Sequence, residues 1–192
     1  MAPILGIWAS SRPSVAADTG AMFPLQVITV GSAGASSITF SNIPNTYSHL
    51  QLRVFARTNR SNNDDQLKIG FNSDTAANYT RHIIYGDGSS VTAAGFSAST
   101  QNGTPPILQT GAVSQSNLFG ANIVDILDYA NTNKYSTVKV FCGVDWNGGG
   151  YSILSSSVWL NTAAISSITF TPANGTLVSQ YSSFALYGIK GA

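Results

Sequence analysis

The amino-acid sequence predicts an all-β chain: an antiparallel β-sandwich of jelly-roll type preceded by an extended N-terminal arm. Three observations carry that expectation. The 192 residues contain no Glu and few Lys, the residues that fill exposed helix faces. From Phe23 onward, short runs rich in Val, Ile, Thr, Phe and Tyr are separated by turn residues. Several of those runs alternate in polarity with a period of two. Leu50, Leu52, Val54 and Ala56 form one side of a stretch whose other side is Gln51, Arg53, Phe55 and Arg57, and Leu67, Ile69 and Phe71 alternate with Lys68, Gly70 and Asn72.

Residues 1–22 read differently from the rest and form a separate arm and linker. The apolar run Pro3, Ile4, Leu5, Gly6, Ile7, Trp8 leads into Ala9–Gly20, which has neither helical nor strand periodicity. An apolar patch at a chain end, tethered by a linker, is a peg for another subunit, so Pro3, Ile4, Leu5, Ile7 and Trp8 are the candidate anchoring residues. The alternative is an edge strand folded back on the chain's own sheet. The run is too short for a secretory signal, and no apolar stretch approaches the roughly 18 residues of a membrane span, so neither secretion nor membrane insertion is expected.

The domain at 23–192 is expected to hold strands at Leu25–Val30, Ser36–Phe40, His49–Thr58, Gln66–Asn72 and Asn78–Tyr85, then Ala121–Tyr129, Tyr135–Val144, Tyr151–Leu160, Ile165–Thr171 and Tyr181–Ile189. Tight turns are expected at Gly86–Ser89 and Asp145–Gly150, where Asx and Gly supply positive φ. The Ser-, Thr- and Gln-rich segment Thr92–Gln115, with Pro105-Pro106, reads as a long loop. Ser-Ser-Ile-Thr-Phe occurs at residues 36–40 and again at 166–170; so short an echo is no evidence of duplication.

Composition excludes several functions. Charged residues are 9% of the chain and the net charge is +1, which offers no electrostatic basis for nucleic-acid binding. A single cysteine, Cys142, excludes an intramolecular disulfide and reads as a small core residue. The two histidines, His49 and His82, read as strand residues; no nucleophile elbow, phosphate loop or dinucleotide motif occurs. Asp125 and Asp128, three apart on a strand, would lie on opposite faces and make no glycosidase pair. Asp64 and Asp65, with Asn62 and Asn63, read as turn-capping residues or as oxygen ligands for a calcium ion, the former being favoured. No enzyme, metal or cofactor is expected.

Binding chemistry is more visible. Asp145, Trp146, Asn147 and Tyr151 place two rings, an acid and an amide in one turn, the parts from which glycan recognition is built. The competing reading is a hairpin whose Trp caps the end of the core. A surface of Ser, Thr, Asn and Gly with few charges also offers little repulsion against self-association.

Four segments carry a family resemblance: Met1–Ser11, Ser36–Arg53, Val124–Lys134 and Ala185–Ala192. Together they resemble tailed-bacteriophage virion surface proteins. The resemblance implies a structural component of the virion: a short homotrimeric tail or baseplate fibre held by residues 1–22, contacting other virion proteins and a host-surface glycan. A capsid decoration protein is the alternative within the same resemblance. No catalytic residue is implied.

Overall fold

The computed structural model describes residues 21–100 and 104–191. These form twelve strands: β1 (Met22–Thr29), β2 (Ile38–Phe40), β3 (His49–Ala56), β4 (Asp64–Phe71), β5 (Tyr79–Gly86), β6 (Val91–Ser99), β7 (Ile107–Thr110), β8 (Gly120–Leu127), β9 (Ser136–Asp145), β10 (Gly150–Trp159), β11 (Ile168–Pro172) and β12 (Ser183–Ile189). Among the described residues there is no helix, hence none long and apolar enough to cross a membrane. The strands pair antiparallel in two sheets, one of eight in the order β1-β12-β3-β8-β9-β10-β5-β6 and one of four in the order β2-β11-β4-β7.

Each expected strand is present, because alternation places one side of each against the core. Leu50, Leu52, Val54 and Ala56 are buried, as are Leu67, Ile69 and Phe71. From β9 the inward positions are Val138, Val140, Cys142 and Val144, and from the small sheet Phe40, Phe71 and Phe170 meet them. The two copies of Ser-Ser-Ile-Thr-Phe prove to be neighbours. Phe40 pairs with Ile168, Thr39 with Thr169 and Ile38 with Phe170, and the two Thr hydroxyls lie 3.0 Å apart. The echo therefore suits an antiparallel pair in which each position meets its like or its complement across the ladder.

Two corrections concern segment 92–115. It contains β6 and β7 rather than one loop. β6 is exposed on both sides, so it has no alternation to detect, and β7 is buried throughout, Gln109 and Thr110 included. The acids also differ from expectation. β8 ends at Leu127, and Asp128 turns the chain with φ 52°, accepting from Lys134 and lying 3.5 Å from His49 Nδ1. Asp65 lies within β4, fully buried, and its carboxylate accepts from four donors: Gln66 N–H at 2.8 Å, Asn174 Nδ2 at 3.1 Å, Thr58 Oγ1 at 2.9 Å and Gly175 N–H at 3.0 Å. Such a carboxylate is a structural tie between sheets.

The sheets are unequal, and this shapes the surface. β7 packs under β8 and β9, the middle of the large sheet. Beyond it the small sheet reaches β10 and β5 only at one end, where Phe71 of β4 packs on Trp159 at 5.5 Å and on Tyr79 at 6.2 Å. Burial fades toward β6, and segment 104–106 supplies part of the cover, with Arg81 donating to the Thr104 carbonyl at 2.9 Å. The outer face of the large sheet carries one unbroken cross-strand row. Arg53 pairs with Ile123, Ile123 with Phe141, Phe141 with Leu154 and Leu154 with Ile84. In the other direction Arg53 pairs with Ala185 and Ala185 with Val27.

Candidate functional site

The turn at residues 145–151 follows from its sequence. Asn147 (φ 61°) and Gly148 (φ 114°) both occupy the left-handed region, as a two-residue hairpin connection requires, and the Trp146 N–H donates to the Gly149 carbonyl at 2.9 Å. Asp145 fixes the entry by accepting from the Asn147 N–H at 2.7 Å. Gly149 is required for contact: a Cβ there would lie 2.5 Å from Trp146 Nε1. The indole is thus seated directly over the glycine backbone.

Trp146 faces the inner side of the large sheet. It meets Tyr151 edge-on at 5.4 Å, and Tyr151 meets Tyr85 edge-on at 5.9 Å. All three rings are half-buried against the core. They close the inner face at the end of β9, β10 and β5, where the small sheet no longer reaches, so the core-capping role weighed for Trp146 is the one its packing describes.

An open cleft of about 700 Å³ lies beside this turn. One wall is the β9–β10 connection, with Asp145, Gly148, Gly149, Gly150 and Tyr151; the other is the β5–β6 connection, with Gly86, Asp87, Gly88 and Ser89. Gly143 and Ser152 form its floor on the outer side of the sheet. Of the four expected contact residues, Asp145 and Tyr151 line the cleft, whereas Trp146 and Asn147 do not. Hydrogen bonds from the Ser90 and Ser89 amides hold the Asp87 carboxyl below the ordinary carboxylate range. The cleft therefore presents an ionised acceptor at Asp87, a second acid at Asp145 and hydroxyls at Ser89 and Ser152, while the Tyr151 ring packs on the inner side against Trp146 and Tyr85. This set can accept and donate to a polyol.

Asp87, Ser89 and Ser152 are site residues that sequence reasoning did not assign. The turn at Gly86–Ser89 is legible, but only the pairing of Gly86 with Ser152 brings it beside the β9–β10 turn. Pro3, Ile4, Leu5, Ile7 and Trp8 lie outside the described residues. His82 is exposed on β5, His49 accepts from the Asp128 N–H at 3.0 Å, and burial pushes the Cys142 thiol up to about 11. Among the described residues no group of three or more His, Cys, Asp or Glu side chains is placed to hold a metal. No family model, curated protein or solved structure matches the chain.

Proposed function

We propose that this chain is a bacteriophage virion structural protein, a short tail or baseplate fibre. Residues 1–22 attach it to the particle, and the sandwich holds the end cleft toward a host-surface glycan. Three copies work together, so that weak single-site contacts gain by avidity.

The observation that carries this reading is the distance between Met22, in the row where β1 begins, and the cleft. β1 is one edge strand of the large sheet, and its first residue, Met22, pairs with Ile189 in a row that continues through His49, Leu127, Thr137 and Val158 to Thr80. The cleft lies toward the opposite edge and at the opposite strand ends, in the row of Gly143, Ser152 and Gly86. At about 4.8 Å per strand and 3.3 Å per residue, the two corners are roughly 40 Å apart. An arm leaving one corner leaves the other free to meet a ligand.

Three of the segments that carry the resemblance also converge. Residues 185–189 pair with 49–53, and 49–52 pair with 124–127. Tyr129 donates to the Pro44 carbonyl, and the Gly191 N–H donates to Ser48 Oγ at 2.8 Å. Segments far apart in sequence thus form one continuous patch of framework at the corner where the arm begins.

Immunogold labelling of intact particles with antibody to this chain tests the reading. Gold at the tail end is the expected result. Gold spread over the head would move the protein to capsid decoration, and unlabelled particles would overturn the virion reading. Glycan binding by the full chain, and its loss in Asp87→Asn with Asp145→Asn, tests the cleft separately.

A further inference from the structure

We propose that the outer face of the eight-stranded sheet is the surface through which copies of this chain associate. The inference concerns only this surface and holds wherever the protein works.

Its centre is apolar and exposed. Phe141 and Leu154, side by side on β9 and β10, are 57% and 56% exposed; Ile84 beyond them is 48% exposed and Phe55 47%. Solvated faces of antiparallel sheets normally carry polar side chains, and contiguous apolar patches of this kind mark interaction surfaces. The adjoining row is polar but balanced, with Asp125 paired to Lys139 across the ladder, so two such faces meet without strong like-charge repulsion.

The relief fits a second copy. Phe141 and Leu154 stand between two hollows on this face. One of about 340 Å³ lies among Phe55, Ile123 and Phe141 beside the small residues Ala121, Ser183 and Ala185; another of about 400 Å³ lies among Ile84, Leu154 and Ser156. The same face thus holds both the projecting rings and chains and the recesses that receive them. Eight strands span about 34 Å across, and seven to ten residues span about 25 Å or more along the strands, giving a whole face, rims included, of about 850 Å² in projection. Stable protein–protein interfaces take about 800 Å² per partner. The rims, at the Val27 edge and at the cleft, remain outside the apolar centre.

Sedimentation equilibrium of the full chain at tens of micromolar tests this. The wild type should run at a multiple of its 20.1 kDa chain mass, and Phe141→Lys with Leu154→Lys should run as a single chain with unchanged far-UV circular dichroism and a melting temperature that no longer depends on protein concentration. Both side chains already face solvent, so the fold does not depend on them. As a second measurement, Leu154→Cys should react with a maleimide at least tenfold more slowly in the associated form than after dilution to single chains. The native Cys142 is buried and stays silent in that assay. A monomeric wild type would overturn the proposal. So would a double variant that keeps its multiples, which would place association at the exposed edge of β6 or in residues 1–22, or a Leu154→Cys thiol equally reactive in both forms.

Discussion

Replacing Asp65 by Asn should cost this fold about 3–5 kcal/mol although it removes no atom from the core. Asp65 is fully buried in β4, and its two oxygens each accept from two donors. An Asn side chain has one oxygen and one NH₂, so whichever way it turns, the NH₂ faces two groups that donate. The better orientation points it at Thr58 and Gly175. The Thr58 hydroxyl can rotate to accept, but the Gly175 N–H keeps no acceptor. An orphaned buried donor costs about 1–3 kcal/mol, and the remaining hydrogen bonds lose the strength that a charged acceptor lends them. The loss spreads because the donors come from separate places: Thr58 follows β3 of the large sheet, Gln66 lies in β4, and Asn174 and Gly175 follow β11. In urea, with a slope of about 2 kcal/mol per molar, the unfolding midpoint should fall by about 1.5–2.5 M with the slope unchanged. A fall of less than about 0.5 M would refute the argument, showing that Asp65 does not join the sheets through these contacts.

Three further perturbations have defined outcomes. At Asp74 burial opposes ionisation, but hydrogen bonds from Asn78, Trp159, the Ala76 amide and Asn161 outweigh it and hold the carboxyl below its usual value of 3.8. Its folded value lies below its unfolded one, so its contribution to stability is complete above about pH 4–5 and is lost as pH falls through the folded value. Thermal unfolding followed from pH 7 downward should weaken in that acid window, and Asp74→Asn should flatten this part of the slope. Arg57 donates to the carbonyls of Ala112, Ser114, Gln115 and Leu118 at 2.8–3.1 Å, pinning the loop between β7 and β8. Arg57→Lys cannot span four acceptors, so thermolysin cleavage near Val113 should rise at least tenfold while the sandwich stays folded. Gly149→Ala must drive the Trp146 indole off the turn, so its indole N–H resonance should move and binding at the cleft should weaken about tenfold or more.

The sequence made the body of the sandwich legible wherever one side of a strand is dry and the other wet. Leu50 to Ala56 and Leu67 to Phe71 announce their faces by alternation, and the Asn147-Gly148 turn announces its hairpin. β6 could not be read in this way. Ala93, Ala94, Gly95 and Phe96 are exposed together, since no second layer sorts their two sides. β7 failed for the opposite reason: buried on every side, it includes Gln109 and Thr110, whose donors find partners only in the fold, Thr110 at the Leu118 carbonyl (2.6 Å) and Gln109 Nε2 at the Ile107 carbonyl (3.1 Å). Asp65 looked like a turn residue because its four donors come from as far as Gly175. The Asp145–Tyr151 turn was legible as a unit, but not which of its residues face the cleft, because pleat parity sends Trp146 inward and Asp145 outward. Its second wall needed the pairing of Gly86 with Ser152, a contact 66 positions apart that no local pattern encodes.

The mismatch of eight strands against four explains why the chemistry gathers where it does. Where β7 lies beneath β8 and β9, both layers are present and small inner side chains such as Val140 and Cys142 are fully buried, with Asn122 of β8 tied to the β7 Leu108 carbonyl at 3.0 Å. Past that line the large sheet continues for three strands over a partial cover, made by the end of β4 at Phe71 and by segment 104–106, and larger rings fill what that cover leaves. Trp159 fills one end, donating its Nε1–H to Asp74 at 2.8 Å, and the Trp146–Tyr151–Tyr85 chain fills the other. Rings that seal a thin region also hold the turns above it in place, which is why the cleft sits over the aromatic end and not over the thick centre. The same extension gives the outer face its width: a four-stranded sheet would span only about 14 Å between its edge strands, too little for the apolar row to reach the area of a stable interface. One departure from equal sheets thereby shapes both the cleft and the breadth of the outer face. Lysines at Phe141 and Leu154 should accordingly separate the two, abolishing association while leaving the affinity of each single cleft unchanged.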